Sequence, residues 1–327
     1  LAREVAGLPA APEGRAARRG ALATAALCAL SYTLAANATE LLTETLFLFG
    51  LTGALWLLLR AGRAGSWALA ALAGLGIGAL CLVRSVALPM LPLGAAWLCV
   101  AGLGAAAPRP GRRWLAVAPA VAFACATLLV VLPWTARNYA TYGGAILIDT
   151  TGAENLWLDN DPAGREAVKA QLYAMGEDRL GRQQLAMRRG LEVIAADPGR
   201  FAAKAWGELL KFFALEQSED MLARPAIWVS PGETWARLLL GDALWLLTLL
   251  AGRYGLALAL LTSPAGRPAG ALRAALHALR SPAWLLAPWA LYVLLTTVIF
   301  HVELRYRLPL YPALLPYAGL ALAGGVA

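Results

Sequence analysis

Hydrophobic residues in this chain gather into long blocks separated by short gaps that carry most of the arginines. The blocks fall at about 21–37, 44–60, 66–83, 86–104, 114–133, 237–261, 283–300 and 308–327. Most reach or approach the roughly 18 apolar residues that take a helix across a bilayer. One long segment, 138–236, interrupts them. Its opening, NYATYGGAILIDTTG, mixes β-branched residues with glycine and predicts irregular or short-strand structure. Residues 165–217 are dominated by Ala, Leu, Arg and Glu and predict helices, with a break at Asp197-Pro198. Within them KAWGELLKFFALEQ places its aromatics on one face, the pattern of a helix lying at a membrane interface. The expected fold is therefore an all-α integral membrane protein of about eight transmembrane helices. Residues 1–137 form an N-terminal membrane part of about five spans, 138–236 an extracytoplasmic and mainly helical segment, and 237–327 a C-terminal part of about three spans.

Composition agrees with that pattern. The 327 residues are 60% hydrophobic and 15% charged, against about 25% charged in soluble domains. The net charge of +8 is scattered through short loops, which suits a cytoplasmic membrane face and argues against a nucleic-acid partner. With eight spans, Arg15, Arg18, Arg19, Arg60, Arg63, Arg109, Arg112, Arg113, Arg267, Arg273 and Arg280 all fall on one side, the cytoplasm. The Ala, Leu, Gly and Arg bias is that of a GC-rich bacterial genome, so the expected bilayer is the bacterial plasma membrane. Cys28, Cys81, Cys99 and Cys125 lie inside apolar blocks without CxxC spacing and read as small buried hydrophobes. The chain opens on Leu1 and ends at GGVA, and is expected to be a piece of a longer protein.

The charges on the opposite side carry the candidate chemistry. Glu40 and Glu44 precede LFLFG at i,i+4 spacing, where like charges repel unless a cation or a proton intervenes. Acids also favour the positive end of a helix, so the pair has a purely structural explanation too. Arg84 interrupts two apolar runs, either as an interfacial side chain or as a bidentate ligand for phosphate or carboxylate. Pro133 and Trp134 close a span, and Arg137 with Asn138 then presents a cluster of donors. IFHVELRYRLPLYP places His301, Glu303, Arg305 and Arg307 between two spans; the arginines would share a face if the segment were extended but not on a helix. The glycines of GLGIGAL lie inside a span and suit close helix packing rather than phosphate binding. LDNDP has oxygen ligands without EF-hand spacing, and Walker A, HExxH and GxSxG are all absent.

Taken in order, LLTETLFLFGL, AGLGIGALCLVRSVALPMLPL, VVLPWTARNY, NLWLDNDP and ELRYRLPLYP resemble the GT-C integral-membrane glycosyltransferases of glycosyltransferase family 39. That family includes protein mannosyltransferases and the lipid A aminoarabinose transferase. The resemblance implies transfer of a sugar from a polyprenyl-phosphate donor, at the extracytoplasmic face, to a lipid, glycan or protein acceptor. It implies an acidic base in a loop upstream of Leu1, with Glu44 as a second acid that holds a divalent metal or positions the site. Arg84, Arg137, Arg305 and Arg307 would face the lipid phosphate, with Asn138, Glu303, His301 and Glu40 as secondary candidates. A ligase or polymerase of lipid-linked glycans, or a transporter or flippase of lipid-linked sugars, would gather the same charges; the missing internal repeat weighs against transport.

Overall fold

The structure is a computed structural model and describes residues 1–5, 15–40, 42–104, 114–215, 217–218, 221, 230–262 and 271–324. Arg109, Arg112, Arg113 and Arg267 lie outside the described residues, as does the side chain of Arg273. Among the described residues the regular structure is helical, with no strand. Four helices are long and apolar enough to cross a membrane: Thr43–Ala64, Ser85–Leu103, Leu115–Tyr142 and Pro231–Leu261. The helices Arg15–Leu30 and Tyr32–Thr39, bent by 51° at their junction, make a fifth if taken as one span. Trp67–Val83 and Ala283–Ile299 are apolar but shorter. The chain forms two compact units, one of Leu1–Thr127, Leu215–Leu291 and Leu308–Ala327, the other of Leu128–Ala214 and Tyr292–Arg307.

At the centre of the first unit lies the helix Tyr311–Leu322, only 12 residues long and buried at every position from Tyr311 to Leu320. A helix that is apolar all round needs partners on all sides. Arg15–Leu30 and Leu244–Leu261 supply them. Gly252 and Gly255 let the latter close onto the central backbone, since a Cβ at either would stand 2.9 or 2.6 Å from the carbonyl oxygen of Leu314 or Tyr317. Gly74 does the same within GLGIGAL, where a Cβ would collide with the Phe123 carbonyl oxygen. Close packing at these glycines is what the sequence pattern suggested, and Thr127 Oγ1 donates to Gly74 O at 3.1 Å across the contact. Outward-facing positions of these helices are strongly apolar: Phe49, Leu129, Leu250 and Leu261 are all largely exposed. Large apolar side chains exposed in this number suit hydrocarbon better than water.

In the second unit Thr151–Leu158, Arg165–Ala174 and Arg179–Ala196 pack around Ala153, Trp157, Leu158, Val168, Leu172 and Ala186. The break at Asp197-Pro198 occurs as expected: Asp197 accepts from Arg200 N at 2.9 Å and caps the helix Pro198–Phe212. Of the irregular or short-strand structure expected at the start of this segment, the irregular form occurs at 143–150, and no strand forms among the described residues. Instead the Trp114–Tyr142 helix runs on past Pro133 and Trp134, and Gly143, at φ 73°, ends it. Thr135 Oγ1 donates to Leu147 O, Asn138 Nδ2 to Ile146 O and Ile148 O, and Trp134 Nε1 to Ile148 O, at 2.7–3.2 Å. Side chains of the helix thus satisfy the carbonyls that a neighbouring strand would otherwise bind.

Candidate functional site

Most of the second unit's chemistry converges on one open cavity of about 470 Å³, lined by Leu158, Asp159, Asp161, Gly164, Arg165, Lys204, Glu208, His301 and Glu303. Three chain segments build it. Asp159 and Asp161 follow the C-terminal end of Thr151–Leu158, in the LDNDP stretch, and Arg165 opens the next helix. Lys204 and Glu208 lie four apart on Pro198–Phe212 and so share a face. His301 and Glu303 come from the non-helical piece after Ala283–Ile299.

An ordered string of charges runs through the cavity. The Asp159 side chain is 1% exposed, with Arg165 Nη1 on Oδ1 and His301 Nδ1 2.9 Å from Oδ2. Both ring nitrogens of His301 face a carboxylate, which only accepts, with Nε2 standing 3.3 Å from Glu303 Oε1. Glu303 Oε2 takes Arg305 Nη2 at 2.6 Å. Burial, the largest influence, pushes the imidazole below its ordinary value, and Arg165 adds to this against the pull of Glu303. Burial alone would raise Glu303, yet the hydrogen bonds and charges of His301 and Arg305 hold it below the usual carboxylate range. A doubly protonated ring would donate to both carboxylates, from Nδ1 to Asp159 and from Nε2 to Glu303, so the arrangement can take up and orient a proton.

Lys204 ties this site to the helix before it. Its Nζ donates to Ile299 O at 2.8 Å and also to Phe300 O, the carbonyls left open at a helix C-terminus. Burial nevertheless pushes the ammonium down to about 8, against the opposing charge of Glu208. Glu208 Oε2 accepts from Val302 N at 2.8 Å and its Oε1 from Lys211 at 3.0 Å. Burial works against the Glu208 charge, but the Val302 N–H and Lys211 outweigh it and keep the carboxyl low. Asp161 is held by Trp157 Nε1 at 2.6 Å and by Ala163 N at 2.9 Å.

The residues singled out from sequence fall into separate groups. In the first unit Arg84 Nη1 pairs with Glu44 Oε1 at 2.6 Å and reaches Thr43 Oγ1 at 3.3 Å. Glu44 is buried, and Arg84 at the end of Trp67–Val83 neutralises it; Glu40 is exposed at the end of Tyr32–Thr39. In the second unit Arg137 is exposed, lies 5.2 Å from the Trp134 ring and 5.6 Å from the Tyr142 ring, and donates to Asn138 Oδ1. Among the described residues no carboxylate pairs with it. Arg305 and Arg307 lie on the 3₁₀ turn Leu304–Leu310, where Arg305 pairs with Glu303 and Arg307 donates to Ala214 O at 2.8 Å. Asp159, Asp161, Arg165, Lys204 and Glu208 were not picked out from sequence; the only signals were the acids of LDNDP and the i,i+4 pair Lys204/Glu208. No group of three or more His, Cys, Asp or Glu able to hold a metal ion occurs among the described residues. No family model, no curated protein and no solved structure matches this chain.

Proposed function

We propose that the chain is a membrane glycosyltransferase of the GT-C kind, moving a sugar from a polyprenyl-phosphate-linked donor to a lipid, glycan or protein acceptor. The reading places the reaction at the extracytoplasmic face of a bacterial plasma membrane. The observation that carries it is the Asp159–His301–Glu303 array in an open cavity directly after an apolar helix. Two of the five stretches behind the family resemblance, NLWLDNDP and ELRYRLPLYP, supply residues to that cavity although about 140 residues separate them. Carboxylates and an imidazole suit sugar hydroxyls, accepting from O–H groups in fixed directions. Transfer joins the acceptor oxygen to the anomeric carbon and breaks the bond from that carbon to phosphate oxygen, which leaves with the electron pair. The acceptor proton passes to a base, which the family resemblance implies is a carboxylate. Arg137, without a carboxylate partner among the described residues, is the guanidinium best suited to the departing phosphate.

The test is sugar transfer from a polyprenyl-phosphate donor by the full-length protein in nanodiscs. Glu303→Gln and His301→Ala should each lower kcat/KM at least about tenfold, the size of one lost positioned hydrogen bond to a charged group. Glu192→Gln, on the outer face of Arg179–Ala196, should leave it unchanged. Full activity in both cavity variants would move the site elsewhere. Failure of the unaltered protein with every polyprenyl-phosphate sugar would sink the transferase reading itself.

A further inference from the structure

The helix Pro198–Phe212 has two dissimilar faces. Lys204, Glu208 and Phe212 point inward, Lys204 and Glu208 onto the backbone of residues 299–302 and the cavity. The opposite face carries Ala202, Ala203, Trp206 and Leu210, spaced as one stripe of a helix, and all four are exposed. Trp206 is 60% and Leu210 57% exposed, and no charged residue interrupts the stripe. Such a face in water would be a liability on an otherwise satisfied helix.

We propose that this stripe docks on a phospholipid surface, so that Pro198–Phe212 lies in the plane of the membrane interface. Its height relative to the bilayer is set by its own anchors. Lys204 Nζ and Asn160 Nδ2 both bind the carbonyl of Ile299, the last residue of the apolar helix Ala283–Ile299, and Lys204 also binds Phe300 O. The amphipathic helix is therefore pinned where an apolar helix ends, which is the level of the lipid head groups. The side-chain chemistry matches that level. Tryptophan favours the interface over either water or hydrocarbon. Lys211, exposed at the border of the stripe, places a cation where anionic head groups lie. With the stripe on the lipid, the other face of the same helix holds the cavity open at head-group height, where a lipid-linked substrate presents its polar end. The docking rests on the membrane reading of the apolar helices and is independent of sugar transfer.

Site-directed spin labelling tests it in the full chain, with Cys28, Cys81, Cys99 and Cys125 replaced by alanine and the protein in nanodiscs of phosphatidylethanolamine and phosphatidylglycerol. Nitroxides are placed at Trp206→Cys, Leu210→Cys and Ala203→Cys, with Glu192→Cys as the aqueous reference and Phe49→Cys, exposed on Thr43–Ala64, as the lipid reference. Relaxation by oxygen relative to an aqueous nickel chelate should be several-fold higher at 203, 206 and 210 than at 192. Water-like values at those three positions, with a lipid-like value at 49, would overturn the docking alone. A water-like value at 49 as well would overturn the membrane reading and the docking together. Shielding of all three labels from both reagents would mean that protein, a second copy or a partner, covers the stripe, and would overturn a lipid occupant. If Trp206→Cys fails to fold, Ala203→Cys still reads the same face with a side chain of similar size.

Discussion

Arg84→Met should destabilise the first unit by about 2–4 kcal/mol. Arg84 Nη1 stands 2.6 Å from Glu44 Oε1, with the Glu44 side chain 6% exposed and that of Arg84 25% exposed. At an effective dielectric of about 20 the attraction at that distance is roughly 6 kcal/mol. Desolvation of the two groups cancels most of it, so the intact pair contributes little net stability. Deleting the guanidinium alone is different, because it takes the opposite charge away from a buried carboxylate. Breaking a buried pair in this way costs about 3–5 kcal/mol, and the partial exposure of Arg84 brings the figure down to about 2–4 kcal/mol. Glu44→Gln combined with Arg84→Met removes the buried charge as well and should recover about half of the loss, giving a coupling of about 1–2 kcal/mol. Equilibrium unfolding of the full chain in mixed detergent micelles, followed through all four members of the cycle, measures it. A single-variant loss below about 0.5 kcal/mol, or strict additivity in the double variant, would refute the argument.

Three further outcomes follow from the same kind of reasoning. Gly74→Ala should cost about 1–3 kcal/mol, since its Cβ would have to displace the Phe123 carbonyl; an unchanged melting temperature would contradict the close approach. Arg182→Met should loosen the second unit by about 2–4 kcal/mol, because Glu154 loses its 3.0 Å partner and keeps only Thr150, and faster hydrogen exchange across 151–196 reads this directly. Acid should weaken the same unit in two stages. The folded state holds His301 below 6.5 and so binds fewer protons there than the unfolded chain, which makes stability fall as the pH drops through 6.5. Glu208 and Glu303 are held low, so their contribution is complete above 4.5 and is lost below it. His301→Gln should abolish the first stage and leave the second; a flat profile between pH 7 and 5 in the unaltered protein would contradict the burial of that imidazole.

Period and composition were enough to set out the all-helical class, the apolar helices and the break at Asp197-Pro198, because each depends on residues close in the chain. Glycine packing in GLGIGAL was legible for the same reason. The helix past Pro133 was not, since a proline removes only its own donor, and distant carbonyls at 146–148 reward continuing the helix. Nor could spacing show that 308–327 would hold a 12-residue buried axis, which needs apolar partners on every side. The candidate site divides in the same way. His301 and Glu303 stood out as charges beside apolar blocks, whereas Asp159, Arg165 and Lys204 looked like ordinary polar residues of a soluble segment. Their importance comes from partners: Asp159 faces His301 across 142 positions, and Lys204 closes carbonyls 95 and 96 residues away. The sequence by itself determined which segments are apolar and helical, through local periodicity. Only the tertiary structure decided which charges meet, because hydrogen bonds and ion pairs are chosen by distance in space and not by distance along the chain.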